Sequence, residues 1–84
     1  MQIGGREMAA RLQLRQGIID RLRESRGIPS EEVMARMIGV DRGTLRRVVN
    51  GAQPSGTFVA NASVAFGMGI GELFEVVVGA RAAA

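Results

Sequence analysis

Apolar residues recur along this chain at helical spacing, in blocks separated by glycine. Met8, Leu12, Arg15, Ile19 and Leu22 fall at alternating steps of four and three, which predicts one mainly apolar stripe on a helix from about Glu7 to Ser25. Arg26-Gly27 ends it, with glycine where a left-handed C-terminal residue is wanted, and Ile28 returns to the core. A second helix opens at Pro29-Ser30-Glu31-Glu32, where serine caps free amides and two glutamates suit the helix dipole. Val33, Met34, Met37 and Ile38 supply its apolar face, and Gly39 stops it. The third helix takes Asp41 as N-cap and runs through Asn50, with Gly51 just beyond. Residues 52–56 read as a loop, and a fourth helix spans Thr57 to Phe66, ended by Gly67. The tail from Ile70 to Val78 is open: Glu72-Leu73-Phe74 suits one helical turn, while Val76-Val77-Val78 prefer a strand. Residues 82–84, three alanines, read as a frayed end.

The stretch from Glu31 to Asn50 holds two short helices and a tight corner. Helices that cross steeply over a three- or four-residue turn approach closely, so the crossing wants a small side chain and the turn wants glycine. Ala35, then Gly39 and Val40, then Leu45 and Val48 meet those demands. At about 100° per residue, with Arg42 at zero, Leu45 and Val48 lie near about 300° and 240°, so the core direction is about 270°. Arg46, Asn50, Gly43 and Arg47 then fall at about 40°, 80°, 100° and 140°. Three arginines, an asparagine and a glycine share the outward side, and no acid interrupts it. Arginine suits guanine O6 and N7 bidentately, asparagine can do the same for adenine, and glycine lets the backbone come close. An exposed polar face is also what any amphipathic helix presents. The corner spacing and the charge distribution carry the reading further.

Charge is uneven. Residues 1–50 hold ten arginines against six acids and residues 51–84 one against two, so a polyanion would meet the front half. Eighty-four residues make one domain with a modest core and little room for a deep cavity. Cysteine and histidine are absent, which removes disulfides, thiolate metal sites, the commonest zinc ligand and the commonest general base. Carboxylates remain without a spacing that suggests acid–base work. We therefore expect no enzyme, catalytic residue, metal, cofactor or small-molecule substrate. No apolar run reaches the roughly 18 residues of a membrane span, and the N-terminus lacks the apolar core of a signal peptide, so a cytoplasmic protein without membrane partners is expected.

From about Gln16 to Phe74 the chain resembles the helix-turn-helix domains of the lambda repressor and Cro type, also called Xre-type. The resemblance is carried by Ile19 to Val33, by Ala35-Arg-Met-Ile-Gly-Val40, by Leu45-Arg-Arg-Val-Val-Asn-Gly51, by Pro54 and by Glu72-Leu-Phe74, with no gap in the spacing. It implies an all-α fold, a compact bundle of four to five helices with a possible short C-terminal strand. The third helix would lie in the major groove of a two-fold operator. By position, Arg42, Gly43, Arg46 and Arg47 should face base edges or phosphate, and Asn50, Gln53 and Ser55 should lie along the backbone. Glu31 stands where such domains often carry a glutamine that braces the first recognition residue and touches phosphate; as an acid it would repel phosphate unless paired with Arg42 or another arginine. Residues 1–15 are expected to extend the first helix or form an arm, 16–78 to be the DNA-binding domain and 79–84 a frayed tail.

The function expected is sequence-specific binding of double-stranded DNA by a transcriptional regulator, of phage or prophage repressor type, acting as a homodimer. Residues Glu75 to Gly79 either pair with their copy as a strand or finish the core. The alternatives are an antitoxin or excision-type accessory protein that also binds a protein, and a pure protein-interaction module. The last would have no need of three arginines opposite Leu45 and Val48.

Overall fold

Gly17 breaks the first expected helix in two. In the computed structural model, which describes residues 8–80, Gly17 is left-handed, at φ 76°. Only the part beyond it, α1 (Ile18–Arg26), is helical. The part before it is a strand, β1 (Met8–Leu14). Four further helices follow: α2 (Glu31–Ile38), α3 (Arg42–Val49), α4 (Gly56–Phe66) and the single turn α5 (Ile70–Leu73). The chain then enters β2 (Phe74–Ala80), which pairs antiparallel with β1 in a register running from Leu14 opposite Phe74 to Met8 opposite Ala80.

The fold is therefore helical with a two-stranded ribbon, not all-α. The expected N-terminal arm divides, since Met8–Leu14 is β1 and residues 1–7 lie outside the described residues. Of the expected frayed tail, residues 79 and 80 belong to β2, and 81–84 lie outside the described residues. The reason that the part before Gly17 is extended, not helical, is non-local. Val76-Val77-Val78 favour extended backbone, and a lone strand leaves its amides and carbonyls unpaired, so the residues brought alongside are drawn into a ladder. Met, Ala, Arg, Leu and Gln in β1 are all good helix formers, and the pairing overrides them. The tail held both of its open readings in succession: a helical turn, then a strand. That strand pairs with β1 of its own chain.

Directly opposite residues of an antiparallel pair share a face. Leu14 and Phe74 are buried at the base of the ribbon, Leu12 packs partly against the core, and Val76 and Val78 further out are 66% and 52% exposed. The ribbon thus begins inside the core and leaves it. Its base is pinned by Arg15, whose backbone N–H donates to the Leu73 carbonyl (2.9 Å) and whose Nε donates to the Gly71 carbonyl (2.9 Å). Arg15 was expected on the apolar stripe; it is exposed and ties the ribbon to α5.

Phe58 and Phe74 meet edge to face at 6.3 Å in the middle of the core, with Met34, Leu45, Ile38 and Leu73 fully buried around them. On α2 the inward residues are Met34, Ala35 and Ile38, with Val33 partly buried. Met37, expected inward, is 43% exposed, because the small Ala35 holds the side that faces the crossing.

Candidate nucleic-acid interface

Local signals set the corner. Ser30 caps α2 by accepting from the Val33 N–H (3.1 Å). Gly39 ends it at φ 90°, the left-handed conformation a side chain would strain, and its N–H donates to the Ala35 carbonyl (2.8 Å). Val40 returns toward the core. Asp41 then opens α3, its Oδ1 accepting from the Thr44 N–H at 2.6 Å. Residues 39–41 are thus the whole turn between two eight-residue helices whose buried sides face each other.

The Thr44 backbone amide, the Thr44 hydroxyl and, less strongly, the Arg47 charge hold the Asp41 carboxyl below its ordinary 3.8. A carboxylate with a lowered folded pKa stabilises the fold above its ordinary value, and that contribution disappears as pH falls through the lowered one. Acidification below pH 3.8 should therefore release the first turn of α3. Asp41→Asn keeps an acceptor at the cap without a titrating group and should remove this step. NMR titration of the Asp41 carboxyl and the Thr44 amide checks both outcomes; an ordinary midpoint for Asp41 would disprove the cap's role.

The two sides of α3 separate as the helical spacing requires. Leu45 and Val48 are buried, while Arg42, Gly43, Arg46, Arg47 and Asn50 are all exposed. A Cβ added to Gly43 would make only ordinary contacts, 3.5 Å from Asp41 Oδ1 and 3.6 Å from Arg47 Nη1. Nothing inside the chain demands glycine there, so the bare backbone is available to an outside group. Arg47 Nη2 donates to the Thr44 hydroxyl one turn earlier (3.1 Å). Thr44 was not singled out from the sequence, although its spacing of three from Arg47 is the signal that could have found it. Arg42 borders a shallow recess with Arg23, Ser30, Glu31 and Glu32.

Glu31 does pair with an arginine, and it is Arg46. Nη1 of Arg46 lies 3.2 Å and 3.4 Å from the two carboxylate oxygens, across the gap between α2 and α3. The two loop residues have work inside the chain. Gln53 Oε1 accepts from the Leu12 N–H of β1 (3.1 Å), and Ser55 caps α4 by accepting from the Phe58 N–H (3.0 Å). Each keeps donors: the Gln53 amide nitrogen and the Ser55 hydroxyl proton. Gln13 and Gln16, from β1 and the turn after it, border Val49, Asn50 and Gly51 at the C-terminal end of α3. That neighbourhood exists because β1 is a strand, so helical periodicity could not reveal it.

Among the described residues, no cluster of three His, Cys, Asp or Glu side chains could hold a metal, and no helix is long and apolar enough to cross a membrane.

Two short helices crossing at a glycine turn, the second with a cationic outward side, define a helix-turn-helix domain. Residues 19–73 match a family model described as Helix-turn-helix, and the chain belongs to that family, the lambda repressor/Cro-like group of DNA-binding regulators. No curated protein and no solved structure matches the chain. The matched span covers α1 to α5 and leaves β1 and β2 outside it.

Proposed function

We propose that this domain binds double-stranded DNA sequence-specifically, with α3 in the major groove, as a transcriptional regulator of phage or prophage repressor type. The observation that carries the reading is the outward side of α3, with Arg42, Gly43, Arg46, Arg47 and Asn50 exposed together opposite the buried Leu45 and Val48. Arg42, Arg46 and Arg47 supply base-edge and phosphate contacts, and Gly43 permits close approach. Asn50, with the spare donors of Gln53 and Ser55, follows the phosphate backbone. One helix in one groove binds weakly, so the reading includes a homodimer on half-sites about 34 Å apart.

Selection of duplexes from a random pool tests this directly. The expected outcome is one enriched sequence with two-fold symmetry, its half-sites about one helical turn apart. Enrichment of nothing beyond random sequence would refute specific recognition. A second reading, an accessory protein or antitoxin that binds a protein as well, is favoured by the exposed Val76 and Val78 on the ribbon. It adds a protein partner at the ribbon and keeps the DNA-binding side of α3.

A further inference from the structure

The outer edge of β1 lies beside the C-terminal end of α3. β2 occupies one edge of β1, and at the other the Leu12 N–H donates to Gln53 Oε1 (3.1 Å), in the loop that follows α3. Gln13 and Gln16 border Val49, Asn50 and Gly51 at the same place. Backbone amides alternate between the two edges of a strand, so Ala10, two residues from Leu12, also turns its N–H to the outer edge. Ala10, Arg11 and Gln16 are exposed, and Gln13 is half-buried. Arg11 gives one donor, on Nη2, to Gln13 Oε1 (3.4 Å). Its other donors, the Gln13 amide nitrogen and the Gln16 side chain have no partner among the described residues. No acid occurs from Met8 to Ile19. Glu75, opposite Gln13, belongs to the strand farther from α3 and pairs with Arg15 (3.5 Å). A strip of donors with a cation at its end therefore continues from Asn50 and Gln53 onto β1. The family match begins at residue 19, so the β1 part of this strip lies outside it.

We propose that β1 is a second DNA-contacting element, which takes the phosphate backbone bordering the groove at the C-terminal end of α3. The inference rests on the reading of α3 as the recognition helix. In that reading Asn50 and Gln53 follow the backbone, and Gln53 is bonded to β1, so the next phosphates pass along the outer edge of the strand. Arg11 supplies the charge there, and Gln13, Gln16 and the Ala10 N–H supply neutral donors. Contacts of this kind position a protein on the duplex and carry no sequence information. β1 therefore adds affinity on any duplex and leaves base preference to α3.

The test uses the duplex selected by the wild-type protein, copies with single base changes, and copies in which one phosphate at a time is replaced by an uncharged methylphosphonate. Wild type, Arg11→Gln and Arg11→Lys are titrated on each over a series of salt concentrations. Melting curves confirm that all are folded. Arg11→Gln should lower the salt slope by about 0.9 for each bound protomer, which is about eightfold in affinity at about 0.1 M salt relative to 1 M. Arg11→Lys should keep most of that slope. Neutralising the phosphate that Arg11 meets should weaken the wild type by a similar factor and leave Arg11→Gln almost unchanged. Loss of diffuse charge alone would single out no phosphate in this way. Across the base changes, Arg11→Gln should weaken binding equally. A wild-type slope in Arg11→Gln, the absence of any phosphate coupled to Arg11, or a preference relaxed at one base position would each overturn the proposal. If the wild-type protein selects no site, the functional reading falls and this inference with it. If it selects one that the α3 arginine variants weaken but Arg11→Gln does not, only the role of β1 falls.

Discussion

Alanine at Arg42, Arg46 or Arg47 should weaken binding to the selected duplex while the melting temperature barely moves. The three side chains are exposed, and their polar contacts among the described residues are a surface ion pair and an i, i−3 hydrogen bond. Such contacts are worth at most about 1 kcal/mol to the fold. On DNA the same arginines face either a base or a phosphate, and the two fates differ in kind. Loss of a base-reading arginine should cost about 1–3 kcal/mol and flatten the preference at one position. Loss of a phosphate contact should weaken all duplexes alike and lower the salt slope by about 1. Fluorescence titration of each variant on selected and unrelated duplexes, at several salt concentrations, separates the two. Three variants that bind as the wild type does would remove this side of α3 from the interface.

Phe74→Ala should cost the fold more than any of these. Phe74 follows α5 and begins β2, and its ring lies edge-on to Phe58 and opposite Leu14. It therefore joins the helices to the ribbon in one buried contact. Removing such a ring typically costs about 3–5 kcal/mol, from a total for small domains of about 5–15. At roughly 4–8 °C per kcal/mol, the melting temperature should fall by about 12 °C or more. Val76→Ala, two residues along the same face but 66% exposed, should change stability by less than about 0.5 kcal/mol. Thermal denaturation followed by circular dichroism compares them. Equal effects at 74 and 76 would mean that the ribbon is not anchored by its base.

What could be read from the sequence was local. Ser30 and Asp41 cap the helices they were expected to cap, and Gly39 ends the helix it was expected to end. The fourth helix begins one residue before the expected Thr57, at Gly56. The outward side of α3 followed from a period of 3.6 anchored on Leu45 and Val48, which needed no knowledge of distant residues. Elements separated by the length of the chain were not legible. Met8 to Leu14 satisfied helical spacing at Met8 and Leu12, and nothing within them signals a partner sixty or more positions away. The alternation of Leu12, Gln13 and Leu14 was the one local hint of a strand. For the same reason the second duty of Gln53, which holds the edge of β1, was invisible. The pairing of Glu31 was left conditional, on Arg42 or another arginine, because the choice of Arg46 depends on how far α2 and α3 overlap at their crossing.

The register of the ribbon also bears on the order in which the chain assembles. Met8 opposite Ala80 closes a ring of the entire described chain, the most demanding closure among the described residues, since the entropy lost grows with the logarithm of the ring size. Once the helices have set Arg15 beside Leu73, however, each further pair closes only a short additional loop. Assembly then proceeds like a zip, upward from Leu14 and Phe74, and disassembly starts from the other end. Amide protons near Ala9 and Gly79 accordingly exchange with solvent sooner than those near Gln13 and Glu75, in a gradient along a single pair of strands.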